Sequence, residues 1–569
     1  MTSTEPCTTH RAAPRSEPPT SRVPALALLL TAAVTLLVGS CGASRNAPAT
    51  TGVAHTVGAP VTGLAGRVTY DARRLTKQGL TATTERRPAR FVVVQLKDGR
   101  GRVIGRSYTD GEGRYAFPRV PRRAVQIEVL ASIRPFVCRA PPCPPSVTLD
   151  VTSDGGGQRP HLLASSLRSL PAGAPLDLHA SVDPPHSTAG AFHILDTLFR
   201  GSVAVHDWTG RTLPPLFAIW QYEGPSDWSY YRGERGRGRF AIELMGGERG
   251  RSATTDSDQH DEMIILHELG HFVFDMLSTD SSIGGSHPAH VLTDPGVAWE
   301  EGRATWFACA VLGEPIYQDA IGIAPQGRLR LDDDIETFTP NALRGLGSQQ
   351  TASELLWDLS DGTLPDGTTP IADRDSDGVA LGPAAVLRAM MAQREVPGAY
   401  PSSLSFLRFL VSSNALSADA ARALLVRPSD HRLALPADGE ADAWPRDVAF
   451  ATDVDGKVDG ISNPAPSGGA AHPVNGFDAT AAYRVHVTAR GRLTAQLRIN
   501  GSGTAADRTD LELELRNARA DAIDRSIGTT PIETISRVVD PGFYVVYVRD
   551  AGNGNRANFR LRVELQPAP

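Results

Sequence analysis

The sequence predicts an α+β multidomain chain, in which a mixed α/β unit is flanked by two all-β sandwich domains. Three observations predict it. Short β-rich runs separated by turn residues occupy both ends, over residues 59–150 and 440–569. Between them, residues 188–435 carry apolar stretches with the 3.6-residue spacing of helices. At 569 residues the chain is also too long for one ordinary domain. Composition is globular, with 41% hydrophobic residues, and a net charge of −6 gives no reason to expect nucleic-acid binding.

At the N-terminus, Arg11, Arg15 and Arg22 precede the apolar stretch Val23 to Val38. That stretch is too short and too early for a persuasive spanning helix and reads as an export signal. Its end, Val38-Gly39-Ser40-Cys41, resembles the bacterial lipobox. The resemblance implies a signal peptide over 1–40, a lipid anchor in the membrane at Cys41, and residence at the outer membrane or cell surface. Gly42 is not the Asp that marks inner-membrane retention in such lipoproteins. An ordinary signal peptide or an uncleaved anchor is the plainer alternative. Residues 41–58, rich in Ala, Ser, Thr, Pro and Gly, read as a flexible tether.

Residues 59–150 follow as the first sandwich, with strands expected at Phe91 to Leu96, Arg102 to Tyr108, Arg114 to Phe117 and Val125 to Leu130. Asp98-Gly99 and Asp110-Gly111 supply turns. The patterns Gly66-x-Val68-x-Tyr70, Val94-x-Leu96-x-Asp98 and Thr109-Asp110-x-x-Gly113-x-Tyr115-x-Phe117 resemble carboxypeptidase regulatory-like (transthyretin-like) modules, which implies an accessory role. Cys138 and Cys143 could close a small disulfide loop in an oxidising compartment. Residues 151–187 read as a linker.

The central unit opens with a helix expected from Ala191 to Val205, then strands at Leu216 to Gln221 and Phe240 to Leu244. The second is the candidate edge strand for pairing with an extended substrate, with a plain core strand as the equal alternative. Next comes His267-Glu268-Leu269-Gly270-His271, set in the apolar run Met263 to Met276, with Asp258 or Asp261 available to cap the helix. Two histidines four apart share one helix face and can reach a single ion. With 15 histidines in 569 residues, chance supplies such a motif roughly 0.02 times per chain of this length. The alternative is a helix with two satisfied histidines. A second helix is expected from Asp294 as N-cap and Pro295 as first residue. On it Glu301 lies in the stripe of Ala298, Ala304, Thr305, Ala308 and Val311, while Glu300 shares a face with Arg303 and is expected to be exposed. A carboxylate in an apolar stripe needs a partner, and a metal is a good one.

Together His267, Glu268, His271 and the segment Glu300-Glu301-Gly302-Arg303-Ala304 resemble the gluzincin metallopeptidases. The resemblance implies a zincin-like mixed α/β catalytic domain over 188–435 with zinc held by His267, His271 and Glu301. It also implies Glu268 as general base and a peptide or protein substrate. Asp275 matches an Asp of thermolysin-like members. The interval from His271 to Glu301 is longer than in the known subfamilies, and Thr305 stands where thermolysin-like enzymes place an Asp that orients a ligand histidine. Phe274 and Leu277 exclude a metzincin pattern. His287 and His290 are alternative ligands better read as exposed loop histidines, and Asp294 is an alternative better read as a cap. For the oxyanion, Tyr222, Tyr230, Tyr231, His287 and Tyr317 are all eligible.

Downstream, helices are expected at Thr351 to Leu359, Ala384 to Ala392 and Leu404 to Val411. Asp373-Arg374-Asp375-Ser376-Asp377-Gly378 has the start of a Ca2+ loop, but its twelfth position is Ala384, so it is no EF-hand and a solvated Asp turn is the alternative. The final sandwich, 440–569, shows strands at Tyr483 to Val487, Leu511 to Leu515 and Phe543 to Val548 and resembles the bacterial pre-peptidase C-terminal domain. The function expected is zinc-dependent hydrolysis of peptide bonds. The rivals are a cell-surface binding protein with a structural zinc and a zinc hydrolase acting on another bond. No sequence feature selects a cleavage specificity or an oligomeric state.

Overall fold

In the computed structural model, the described residues run from 63 to 567. Left out are 136–145, 427–443, 460–478, 501–509, 551–555 and shorter stretches including 122, 156, 158, 170–174, 184–186, 225, 285–286, 289–290, 338–342 and 375–377. The signal, Cys41, the tether, Cys138, Cys143, His290, Asp375 and Asp377 lie outside them. The chain is mixed, with several sheets and seven helices among the described residues. No helix among these residues is long and apolar enough to cross a membrane.

The first part contains β1 (Leu64–Thr76), β2 (Gly79–Pro88), β3 (Val92–Asp98), β4 (Val103–Tyr108), β5 (Arg114–Phe117), β6 (Val125–Ile133), β7 (Leu149–Thr152), β8 (Leu162–Ala164) and β9 (Leu178–Ala180). Burial alternates along β6, where Val125, Ile127 and Val129 point inward, as a half-buried strand requires. Asp98 Oδ1 accepts from the Arg100 and Arg102 amides, and Asp110 Oδ1 from those of Glu112 and Arg114, so both expected turns are built by their aspartates. One sheet has the order β2-β1-β5, with β9 also on β1.

The other sheet does not stop at the expected domain boundary. After α1 (Ala189–Thr209) come β10 (Leu216–Ile219), β11 (Tyr230–Glu234) and β12 (Arg239–Glu243), and the order is β11-β12-β10-β7-β6-β3-β4. β10 pairs in parallel with β7, so the first sandwich and the central unit share one sheet and one hydrophobic core. Residues 151–187, expected as linker, carry the paired strands β8 and β9. The edge-strand expectation also needs correction. Phe240 to Ile242 are buried in β12, which has neighbours on both sides, and the edge is β11, antiparallel to β12.

Below the sheet lie α2 (Glu262–Leu277) and α3 (Pro295–Leu312), followed by the hairpin of β13 (Ile316–Ile321) and β14 (Arg328–Asp334). Then come α4 (Gln349–Asp358), α5 (Pro383–Gln393), α6 (Ser403–Ser412) and α7 (Ala418–Val426). α3 starts as expected, with Asp294 accepting from the Gly296 and Val297 amides and Pro295 at the first position. α2 does not. Asp261 stands at its N-cap position, but the Asp261 carboxylate accepts from the Ala320 amide instead of capping.

The C-terminal part contains β15 (Arg446–Asp447), β16 (Asp453–Asp459), β17 (Thr480–Val487), β18 (Gly491–Asn500), β19 (Leu511–Arg516), β20 (Ala522–Ser526), β21 (Ile532–Val539), β22 (Gly542–Asp550) and β23 (Arg556–Pro567). Two sheets, β15-β17-β22-β19-β20 and β16-β23-β18-β21, enclose a separate core that includes Val485, Leu497, Leu513 and Phe559. This sandwich is fastened to the central unit. Thr480 donates to Asp294 Oδ2 (2.9 Å), Arg516 to the Ser282 carbonyl (2.8 Å) and Arg484 to the Gly398 carbonyl (2.7 Å). Tyr400, Val545 and Tyr547 form a small apolar cluster at this contact.

Candidate metal centre

α2 presents His267 and His271 one turn apart, and α3 brings Glu301 to the same point. His267 Nε2 lies 3.2 Å from His271 Nε2 and 3.2 Å from Glu301 Oε2, while His271 Nε2 lies 3.4 Å from that oxygen. Ligand atoms about 2.0–2.1 Å from a tetrahedral zinc stand about 3.3 Å apart. The triangle therefore has the size of a zinc face. Close helix approach makes it possible: a Cβ on Gly270 would stand 3.1 Å from Ala304 Cα, and one on Gly302 only 2.4 Å from Ala352 Cβ on α4.

His267 has an orienting partner. Thr305 Oγ1 lies 3.3 Å from His267 Nδ1, which leaves Nε2 for a metal. The Thr that departs from the thermolysin-like pattern thus fills the orienting position with a hydroxyl. The Tyr317 ring packs against His267 at 5.7 Å. Burial opposes ionisation of Glu301, but His271 and His267 override it and hold the carboxyl well below its usual range. Burial likewise pulls His271 down, yet Glu301 prevails and holds it up at about 9. The same field attracts a cation.

Glu268 stands beside this group. It is buried, and its Oε2 accepts no hydrogen bond from any described residue. Burial raises its carboxyl above the usual range, against the opposing pull of His271 and His267. An enclosed, unpartnered oxygen beside two imidazoles and a carboxylate fits a bound divalent metal with its water.

The expectation for Glu300 is overturned. It is buried in an ion pair with the fully buried Arg303 and accepts from the Ser281 amide. Arg303 also donates to Ser278 Oγ and the Thr279 carbonyl and stacks over Phe274, so the pair ties the loop after α2 to α3. His287, expected as a plain loop histidine, has Nε2 3.5 Å from Glu301 Oε1, on the carboxylate's other oxygen. Asp294 stays a cap. Asp275 accepts from the Tyr231 hydroxyl (2.6 Å).

The cleft above the triangle is about 710 Å³ and is lined by Tyr230, Tyr231, His287 and, from the C-terminal sandwich, Arg519 and Arg525. Of the oxyanion candidates, Tyr230, Tyr231 and His287 line the cleft, with the Tyr230 hydroxyl donating to Glu243 (2.7 Å) and that of Tyr231 to Asp275, while Tyr317 is buried against His267. In the calcium-like loop, an Asp373 carboxylate oxygen lies within 4.8 Å of ones from Glu336 and Asp361. Neither Glu336 nor Asp361 stood out in the sequence. Only chain folding brings them near.

No protein-family model matches the sequence, and no curated protein matches it. Among solved structures, the chain is similar to the pre-peptidase C-terminal domain of collagenase from Bacillus anthracis. Identity there is 17% over 21% of this chain and 92% of that one, with a TM-score of 0.16. It is also similar to the Yersinia pseudotuberculosis-derived mitogen (13% identity, 21% of this chain, 87% of that one, TM-score 0.14). A third likeness is to the isomalto-dextranase of Arthrobacter globiformis T6 (16% identity, 18% of each chain, TM-score 0.13). All three are confined to about a fifth of the chain.

Proposed function

We propose that the chain is an exported, lipid-anchored zinc peptidase with a zincin-like, gluzincin-type catalytic unit. The observation that carries this reading is the triangle of His267, His271 and Glu301 with the unpartnered, buried Glu268 carboxylate beside it. His267, His271 and Glu301 would hold zinc, which would supply Lewis acidity and lower the pKa of a bound water from 15.7 to roughly 7. Glu268, its carboxyl raised by burial, takes a proton from the attacking water and returns it to the leaving amine. Thr305 keeps His267 in register, and His287 braces Glu301. β11 ends the sheet and borders the cleft, so an extended peptide can pair along it.

The test is Glu268→Gln. The variant is expected to keep its metal, measured by elemental analysis, while digestion of casein or a peptide library falls about 10²–10⁴-fold. Chelation should abolish digestion by the unaltered chain. Hydrolysis retained by the variant, with contaminating protease excluded, overturns the assignment. No chelator-sensitive hydrolysis by the unaltered chain favours a binding protein with a structural zinc.

A further inference from the structure

Behind the start of α2 lies a second cluster of acids that the zinc chemistry does not use. A carboxylate oxygen from each of Asp256, Asp258 and Asp319 lies within 4.8 Å of the others. Asp319 is only 5% exposed, and its Oδ1 is enclosed and accepts no hydrogen bond from any described residue. The same holds for Asp256 Oδ1 and for Oδ1 of the fully buried Asp261 nearby. Half-exposed Arg330 pairs with two of them, its Nη1 lying 2.7 Å from Asp256 Oδ2 and 3.7 Å from Asp319 Oδ2. Four clustered carboxylates, of which two are paired with a guanidinium, leave an excess of buried negative charge, which is costly unless it is protonated or bound to a cation.

We propose that Asp256, Asp258 and Asp319 form a structural calcium site. The donors are all hard oxygens, which disfavours zinc, and calcium tolerates irregular carboxylate geometry that magnesium does not. Burial and mutual repulsion push Asp258 well up and Asp319 up to about 7, so each carboxylate would gain from a divalent neighbour. The placement gives the ion a role. Asp258 lies in the turn before α2, and Asp319 lies on β13, two residues after Tyr317, which packs on His267. Asp258 also accepts from the Ser229 hydroxyl, next to edge strand β11. Calcium there ties the helix start, the hairpin and the cleft edge together.

The test uses the full chain, stripped with chelator, dialysed and titrated with calcium chloride alone. The unaltered chain is expected to gain on the order of 5 °C in melting temperature at a hundredfold excess over Kd. Asp319→Asn is expected to lose that gain and to melt above the unaltered chain in metal-free buffer, because the amide removes the repulsion. Asp258→Asn is the second variant should the first fail to fold. His271→Ala should keep the calcium response, which separates this site from the zinc ligands. Asp373→Asn should keep a saturable response too. No response in the unaltered chain, or one that survives Asp319→Asn or vanishes with Asp373→Asn, overturns the proposal.

Discussion

His267 is held at both ring nitrogens, by Thr305 at Nδ1 and by the other donors at Nε2. A metal ligand fixed in this way loses affinity when its outer partner goes. If the proposed zinc is held there, Thr305→Val is expected to weaken its binding about 10–100-fold, measured by chelator competition, and Thr305→Ser to restore most of it. At this scale the sequence was largely legible. Two histidines four apart must share a helix face, and their reach to one ion follows from helix geometry alone. The resemblance marked position 305 as one that orients a ligand histidine but expected an Asp there, and whether the Thr305 hydroxyl reaches the ring depends on α2 and the next helix, α3, packing as closely as Gly270 allows.

The expectation for α3 succeeded on one face and failed on the other. Periodicity placed Glu301 toward the histidines, and it placed Glu300 and Arg303 together, but it read their face as solvated. The loop at 278–281 covers that face and buries both. A lone buried charge is far more costly than an exposed one. Arg303→Leu leaves Glu300 enclosed without its cation and is expected to destabilise the chain by about 3–5 kcal/mol in urea unfolding. A loss under about 1 kcal/mol, typical of surface pairs, would refute the buried-pair description. The edge strand was misassigned for a similar reason. β12 has the apolar run of a core strand, and the half-exposed β11 that covers it gives too little pattern to be read in advance.

The whole molecule is joined through groups far apart in sequence. β10 extends the first sandwich's sheet into the central unit, and Asp294 connects the start of α3 to Thr480 of the C-terminal sandwich. Burial at this junction lifts the Asp294 carboxyl to about 6, although Thr480 and the capped amides oppose it. A carboxyl with a raised folded pKa binds its proton more tightly when folded. The stability it contributes is present at low pH and is lost as pH rises through about 6. Asparagine caps as well as aspartate. Asp294→Asn is thus expected to melt above the unaltered chain at pH 8, with the gap closing by pH 4. A gap independent of pH would show that the carboxylate's burial is not the cause.

What the sequence determined by itself was local: the helix carrying His267 and His271, the capped start of α3, and the alternating strands of the outer sandwiches. Those features repeat every two or 3.6 residues, so neighbouring side chains suffice to specify them. The tertiary structure alone decided that one sheet runs through two expected domains and that the C-terminal sandwich walls the cleft. It alone decided, too, that four aspartates gather behind α2. The meeting of segments tens to hundreds of residues apart depends on which surfaces the folded chain buries together, and no local period records that.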